Sequence, residues 1–152
     1  MAKKTVAPTL PQLDDSVVWR ITSGAHHDPH SLLGAHPVEG GVVLRTYKPL
    51  ATKVRAELSG SETVEFEHYL NGLWQVLLQT NKVPDYRVVA TYEDGNEWRV
   101  DEPFRYLPTI GDLDLHLIRE GRHEELWKAL GAHIREFDGP LGKSSGTAFT
   151  VW

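Results

Sequence analysis

Four histidines and an aspartate lie close together near the start of the chain. His26, His27, His30 and His36 fall within eleven residues, and Asp28 stands among them. Imidazole and carboxylate groups are common metal ligands, but a metal site needs them to converge on one ion from a rigid support. Here they follow no recognised ligand spacing and sit among Pro and Gly. We therefore expect them to order a loop through hydrogen bonds, and we assign no metal ligand and no cofactor.

The Asp28-Pro29 pair predicts a turn within this histidine segment. The Asp28 carboxylate or the Ser31 hydroxyl is suited to accept backbone N–H groups there. Leu32 and Leu33 follow directly and are expected to tether the segment to the rest of the fold.

Several aromatic residues are candidates for stacking on the C–H faces of sugars. Trp19, Tyr92 and Trp98 are the residues we select, because Trp74 alternates in phase with apolar neighbours and is expected in the core. Tyr92 and Trp98 flank a predicted hairpin turn, so they either pair across strands as ordinary sheet packing or present a platform. Both interpretations stay open at this point.

The acidic residues do not indicate a hydrolytic site. Glu65 and Glu67 alternate with Val64 and Phe66, which is the pattern of a solvated strand face. Nothing in the sequence marks a carboxyl group with a raised pKa or a cleft. We assign no catalytic residue to this chain.

Composition excludes several classes of protein. The 152 residues carry 16 basic and 21 acidic side chains, a net charge of −5 and no cysteine. Disulfides and thiolate zinc sites are therefore excluded, and the composition fits a reducing compartment. A general nucleic-acid binder needs a basic stripe, and a membrane helix needs roughly 20 apolar residues in a row, so we expect neither partner.

The middle of the chain has the period of β-strands. Short segments rich in Val, Leu, Thr and aromatic residues follow one another over residues 41–106, separated by turn signals such as Asn71-Gly72 and Asp94-Gly95. Six or seven such strands predict an all-β fold, an immunoglobulin-like antiparallel β-sandwich, although periodicity alone leaves a small barrel open.

The segments before and after the strand region do not have the sequence pattern of strands. A short helix is predicted after Asp14 or Asp15, followed by an irregular loop over the histidine segment. After Pro108 the pattern becomes helical, and Gly121 interrupts it, so we expect two short helices or one broken helix. The predicted divisions are a mobile tail over 1–13, the sandwich over 14–107, a helical linker over 108–137, and a truncated linker with the first strand of a second module over 138–152.

Four segments together resemble the N-terminal region of bacterial 1,4-α-glucan branching enzymes, the glycogen branching enzymes of the α-amylase clan. These segments are HHDPHSLLGAHP (26–37), GLWQVLLQ (72–79), the long run from VDEPFRY to LGAH (100–133), and GTAFTVW (146–152). The double-histidine form is similar to actinobacterial versions. One departure is Glu102-Pro103-Phe104-Arg105-Tyr106, where the family often has Asp-Pro-Tyr-Arg-Phe.

The resemblance implies a non-catalytic module of a larger cytoplasmic enzyme. In that enzyme a carboxylate on a (β/α)₈ barrel would cleave an α-1,4 bond through a covalent intermediate, and a glucan 6-hydroxyl would accept the chain. None of the barrel motifs is present in this sequence. The module would position α-1,4-glucan or glycogen and pack on a second β-sandwich and the barrel. A protein-interaction sandwich without sugar affinity is the alternative.

Overall fold

The computed structural model of the chain describes residues 10–151. Most of the tail predicted for residues 1–13, and Trp152, lie outside the described residues. The chain divides into two compact units, the first ending at Tyr106 and the second beginning at Leu107. None of the described helices is long and apolar enough to cross a membrane.

Helix α1 (Asp15–Thr22) begins where the sequence predicted it. The side chain of its N-cap residue, Asp14, accepts the N–H of Ser16 at 2.8 Å. This satisfies one of the donors that a helix start leaves unpaired, and the same hydrogen bonds lower the pKa of Asp14. Val18 and Ile21 are buried, so α1 presents one apolar side to the sandwich.

Eight strands form two four-stranded antiparallel sheets in the first unit. The first sheet has the order β1-β2-β6-β5 and the second β4-β3-β7-β8. Their bounds are β1 (Gly34–Val38), β2 (Gly41–Tyr47), β3 (Lys53–Leu58), β4 (Thr63–Glu65), β5 (Glu67–Leu70), β6 (Leu73–Leu78), β7 (Tyr86–Thr91) and β8 (Glu97–Val100).

The core lies between the two sheets, which confirms the all-β sandwich and excludes the barrel. Alternate residues of β2 and β6 pack against alternate residues of β3 and β7 in one buried cluster: Val42, Leu44, Trp74, Val76 and Leu78 against Val54, Ala56, Leu58, Tyr86, Val88 and Ala90. Trp74 belongs to this core, as its phase predicted. Buried apolar surface of this kind supplies most of the stability of a sandwich.

Phe66 divides what the sequence suggested was one strand. Residues 63–65 pair in the second sheet and residues 67–70 in the first, so the chain changes sheets at Phe66. The Phe66 side chain is buried in the core, and its N–H donates to the carbonyl of Val54 at 2.9 Å. Strands that switch sheets make the corners of sandwiches.

The prediction of an irregular loop over the whole histidine segment was wrong in its second half. Residues 34–38 form β1, an edge strand that pairs with β2. Pro37 discouraged a strand prediction, but an edge strand tolerates proline because one side of its backbone needs no partner.

The second unit contains helices α2 (Asp112–Arg119) and α3 (Leu126–Ala129) and a long hairpin of β9 (Gly131–Gly139) and β10 (Gly142–Thr150). The two short helices were predicted. A helical linker was predicted up to residue 137 and a further linker from residue 138. Both predictions were wrong beyond Leu130, since all nine residues of β9 pair with β10. Residues 147–150 are a strand as predicted, with β9 as the partner that the sequence did not reveal.

Candidate functional site

Strand β8 is presented by a tight hairpin at the edge of the second sheet. Gly95 has φ +78°, and its N–H donates to the carbonyl of Tyr92 at 2.9 Å. Asp94 accepts the N–H of Asn96 at 3.0 Å, and Tyr92 N–H donates to the Asn96 carbonyl at 3.2 Å. The hairpin that the Asp94-Gly95 pair predicted is therefore present. Its turn spans residues 92–95 and ends at Gly95, the residue with positive φ, which fixes where β8 starts.

Trp98 is an exposed ring on the inner side of this edge strand. It pairs with Ala90, a core residue of β7, and 64% of its surface is exposed. Partners in a ladder share a face, so Trp98 lies on the side of the sheet that forms the core further in. Among residues 10–151, no strand pairs with the outer side of β8. The indole therefore stays open where the sandwich ends.

Tyr92 lies on the same face as Trp98. It follows Ala90 by two residues, and it packs, half-buried, against the core cluster. Its partner across the turn is Asn96, so Tyr92 and Trp98 are diagonal neighbours on this face. The hairpin thus carries one exposed ring and one half-buried ring.

Ion pairs on the opposite face hold β8 against the sheet. Arg55 of β3 donates to both carboxylate oxygens of Glu97 at 2.5 and 2.9 Å, and Arg99 of β8 donates to Glu57 of β3 at 2.6 Å. Both pairs cross β7, and Val89 beneath them is only 2% exposed. The Arg55 guanidinium lowers the pKa of Glu97, and Glu97 raises the pKa of Arg55.

Trp19 does not join this platform. It lies on α1 with 63% of its surface exposed. Helix α1 packs on the outer face of the first sheet, where Val18 and Ile21 contact Leu73 of β6. Trp98 lies on the inner face of the second sheet, so the structure separates two of the three predicted sugar contacts.

The first half of the histidine segment is a loop ordered by its own backbone. Residues Pro29–Ser31 form one turn of 3₁₀ helix, and the Asp28 carbonyl accepts both the hydroxyl of Ser31 at 2.7 Å and its N–H at 3.2 Å. The prediction that the Asp28 carboxylate caps this turn was wrong, because its side chain makes no capping hydrogen bond. Ser31 acts as a donor instead of an acceptor.

The histidine rings take separate positions around this turn. His26 Nδ1 accepts the N–H of Asp28 at 3.2 Å, and the rings of His26 and His27 stack with centroids 5.7 Å apart. His30 meets the ring of Phe104 edge-on at 4.9 Å, and His36 Nε2 bonds the Leu33 carbonyl at 3.0 Å. Within residues 10–151 no three His, Asp or Glu side chains group as metal ligands would.

Apolar contacts tether the histidine segment as predicted. Leu32 and Leu33 are buried in a second cluster with Val18, Ile21 and Leu73. Gly34 follows at φ +97°, where a Cβ would stand 2.2 Å from the carbonyl oxygen of Phe104. Only glycine fits that approach, so the segment and the turn at Pro103–Arg105 lie directly against each other.

A buried carboxylate, Glu102, is a structural site that sequence reasoning missed. It is 3% exposed, accepts the hydroxyl of Thr46 at 2.7 Å and pairs with Lys48 Nζ at 2.8 Å. A charge so deep is tolerated only with partners of this kind. The one signal in the sequence was the acid that precedes Pro103 within the family-like run.

The side chain of Arg105, three residues after Glu102, is also buried and held by ion pairs. Its side chain is 7% exposed and pairs with Asp85 at 2.7 Å and Asp101 at 2.5 Å. The hydroxyl of Tyr106 donates to the second Asp101 oxygen at 2.6 Å. The acid, arginine and terminal aromatic of the motif therefore close one end of the sandwich.

His123 and Asp114 form a further pair in the second unit. His123 Nε2 lies 2.9 Å from Asp114 Oδ1, and His123 Nδ1 accepts the N–H of Glu125 at 3.2 Å. Since a backbone N–H can only donate, Nδ1 carries the lone pair and Nε2–H donates to Asp114. This bond is the main reason that the pKa of Asp114 is lowered. The pair ties the start of α2 to the segment before α3.

The fold and these sites define an antiparallel β-sandwich module with exposed aromatic rings at one sheet edge. A family model described as the N-terminal domain of the alpha-1,4-glucan branching enzyme GlgB matches residues 14–104. The chain belongs to this family, which confirms the resemblance of the sequence motifs.

Curated relatives agree with the family model. A 1,4-alpha-glucan branching enzyme of Thermobifida fusca is 52% identical over 132 residues, covering 87% of this chain and 18% of the relative. The enzyme of that name from Leifsonia xyli subsp. xyli is 47% identical over 152 residues, covering 96% and 20%. The chain thus spans about a fifth of the length of these relatives.

Solved structures show a weaker likeness. A pullulanase from Bacillus acidopullulyticus gives a TM-score of 0.39 at 22% identity, covering 44% of this chain and 9% of the pullulanase. The catalytic module of the pneumococcal virulence factor SpuA gives 0.40 at 22% identity, covering 54% and 14%.

Proposed function

We propose that this chain is the non-catalytic N-terminal module of a glycogen branching enzyme. The observation that carries the proposal is the family match over residues 14–104. The complete enzyme would cleave an α-1,4-glucan chain by double displacement and transfer it to a 6-hydroxyl, forming an α-1,6 branch. We assign that chemistry to the complete protein and to no residue of this chain. The cytoplasmic location implied by the family resemblance stays a prediction.

The role of the module is to hold the glucan donor chain away from the reacting bond. Contacts with a part of the donor chain far from the reacting bond contribute binding energy that positions that bond. This energy determines which chain lengths reach the catalytic centre productively. Weak binding suits this role, since the donor must also leave after each transfer.

Trp98 is the principal glucan contact in this proposal, and Tyr92 supports it. An exposed indole offers a flat apolar face for the C–H groups of a glucose ring, and the ion pairs of Glu97 and Arg99 lie on the opposite face of β8. The ring therefore stands on a strand that is already fixed, so little conformational freedom is lost on binding. Trp19 is a separate contact on α1.

The hairpin of the second unit supports packing against further protein. Ile134 and Phe149 share one face of it as diagonal neighbours and are 79% and 75% exposed. A two-stranded hairpin with open apolar residues is marginally stable by itself. We propose that it packs in the complete enzyme against the second β-sandwich, and that the module also contacts the catalytic barrel.

The experiment that tests the glucan contact compares two exposed tryptophans. Trp98→Ala should weaken binding of maltoheptaose by about fivefold, since stacking of one aromatic ring contributes on the order of 1 kcal/mol. Trp127→Ala is the matched control, because Trp127 is 67% exposed but lies on α3. Titration calorimetry or affinity electrophoresis in glycogen gives the two affinities.

Equal affinities for the wild type and Trp98→Ala would contradict the assignment of Trp98. No affinity in any of the three proteins would favour the alternative, a sandwich that contacts protein and not sugar.

A further inference from the structure

The tight turn between β5 and β6 consists of Asn71 and Gly72. Their φ angles are +50° and +84°, the pair of positive values that a two-residue turn of type I′ requires. Gly72 is fixed for a second reason, because a Cβ there would lie 2.7 Å from Cα of Pro49. The packing of the fold therefore demands an Asn-Gly pair, or one like it, at this turn.

A histidine contacts the backbone nitrogen of this pair. Gly72 N–H donates to His68 Nε2 at 3.2 Å. Since the backbone group can only donate, Nε2 presents its lone pair and the neutral ring carries its proton on Nδ1. The register of β5 and β6 slips by one residue between His68 and Leu70, which places His68 opposite Trp74. Its ring meets the Trp74 ring edge-on at 4.8 Å, so the imidazole is held in place.

Asparagine followed by glycine is the sequence in which a backbone nitrogen attacks a side-chain amide most readily, because glycine has no Cβ to obstruct the approach. The nitrogen attacks with electrons perpendicular to the peptide plane, whereas its N–H points along that plane. A base on the N–H therefore assists the attack and does not block it.

We infer that His68 is a general base for the deamidation of Asn71 in the folded chain. Gly72 N bonds to Asn71 Cγ, and its proton passes to His68 Nε2. The imidazolium returns a proton to the departing amide nitrogen, ammonia leaves and a cyclic succinimide remains. Water then adds to one of its two carbonyls and opens the ring to aspartate or isoaspartate. No oxidation or reduction takes place.

The product would disturb the end of the sandwich. Gly72 O accepts the N–H of Lys48 at 2.8 Å, and Trp74 Nε1 donates to the Lys48 carbonyl at 3.2 Å. Isoaspartate adds one methylene group to the main chain inside this turn, so the Lys48 backbone must shift. Lys48 is also the partner of the buried Glu102. Asn71 is thus a modification site whose effect reaches the buried core.

The test compares the folded wild type with His68→Gln at neutral pH. Glutamine keeps a hydrogen-bond acceptor for Gly72 but takes up no proton. The variant therefore distinguishes the effect of a base from the effect of the hydrogen bond alone. Peptide mass spectrometry follows the mass change at residue 71, and enzymatic carboxyl methylation detects isoaspartate. Asn81 and Asn96, which precede Lys and Glu, serve as internal references.

We expect deamidation at Asn71 to be at least about tenfold slower in His68→Gln, below the 10²–10⁴-fold range typical of an evolved general base. In urea the two proteins should react equally, because the contact exists only in the folded chain. Equal rates in the folded proteins would overturn the inference, as would a difference that persists in urea. His68→Thr, a non-basic residue suited to a strand, repeats the comparison if the glutamine variant does not fold.

Discussion

Glu102 shows how one buried carboxylate closes the end of the sandwich. Its partners Thr46 and Lys48 come from β2 and the loop after it, and Thr46 is 56 residues distant along the chain. The sequence indicated a motif with an acid, a proline, an arginine and aromatics, but not which groups meet. Trp74 was predicted in the core from its alternation with apolar neighbours, whereas the role of Trp98 was left open. Trp98 lies on the inner face opposite Ala90 and is exposed because β8 is at the edge of the sheet.

We predict that Glu102→Gln destabilises the first unit by about 3 kcal/mol, the typical cost of breaking a buried ion pair. The amide keeps the shape of the side chain but leaves the Lys48 charge uncompensated. The matched control is Glu65→Gln, whose pair with Lys53 is exposed and should contribute less than about 1 kcal/mol. Urea unfolding of both variants measures the difference, and equal midpoints would contradict the buried role of Glu102.

At the scale of elements, β8 depends on charges that sit on the face opposite Trp98. Arg55 lowers the pKa of Glu97 below its ordinary value of 4.5. A group with a lowered pKa contributes stability above its unfolded value, and this contribution is lost as the pH falls through the folded value. Acid should therefore loosen β8 before it loosens strands without such pairs.

The measurement is the stability of the β8 amides as the pH is lowered from 6 to 3. Opening free energies of residues 97–100 from hydrogen exchange, corrected for intrinsic exchange rates, should fall below about pH 4.5. In Glu97→Gln the same amides should be less protected at neutral pH and less sensitive to acid than in the wild type. A wild-type β8 with constant opening free energy over this range would disprove the role of the pair.

Substitutions at two glycines distinguish the cost of backbone strain from the cost of a close backbone contact. Gly34 and Gly24 both have positive φ, but a Cβ at Gly34 would meet Phe104 O at 2.2 Å, whereas a Cβ at Gly24 meets nothing within 4 Å. We predict that Gly24→Ala costs about 1 kcal/mol and Gly34→Ala about 3 kcal/mol or more. Thermal unfolding measures the loss of stability in both variants. Equal losses would contradict the claim that the close contact between Gly34 and the Phe104 backbone requires a glycine.

The elements that the sequence missed have a common physical cause. β1 contains Pro37 and follows a His-rich segment, and the β9–β10 hairpin has Gly and Ser in its strands, Pro140 in its turn and most of its side chains exposed. β1 and β9 lack the regular alternation of buried and polar residues by which a strand is recognised, because few of their side chains are buried. In strands β2, β3, β6 and β7 at least every second residue is buried, and the sequence located all four as apolar segments between turn signals.

The whole molecule consists of a sandwich that fixes an aromatic edge and a second unit that contains an exposed hairpin. The two sheets were predictable, because their core residues recur at every second position between clear turn signals. The separation of Trp19 from Trp98 was not, since it depends on which sheet α1 covers. That choice is made by the packing of Leu32, Leu33 and Leu73, which no local pattern specifies.

A ¹⁵N–¹H NMR titration of this chain with maltoheptaose would locate the glucan contact directly. We expect saturable shifts clustered on residues 92–98 and the Trp98 indole, with a smaller set around Trp19. The β9–β10 hairpin should stay unchanged. No shifts at millimolar sugar, or shifts confined to the hairpin, would contradict a glucan-positioning role for the edge of this sandwich.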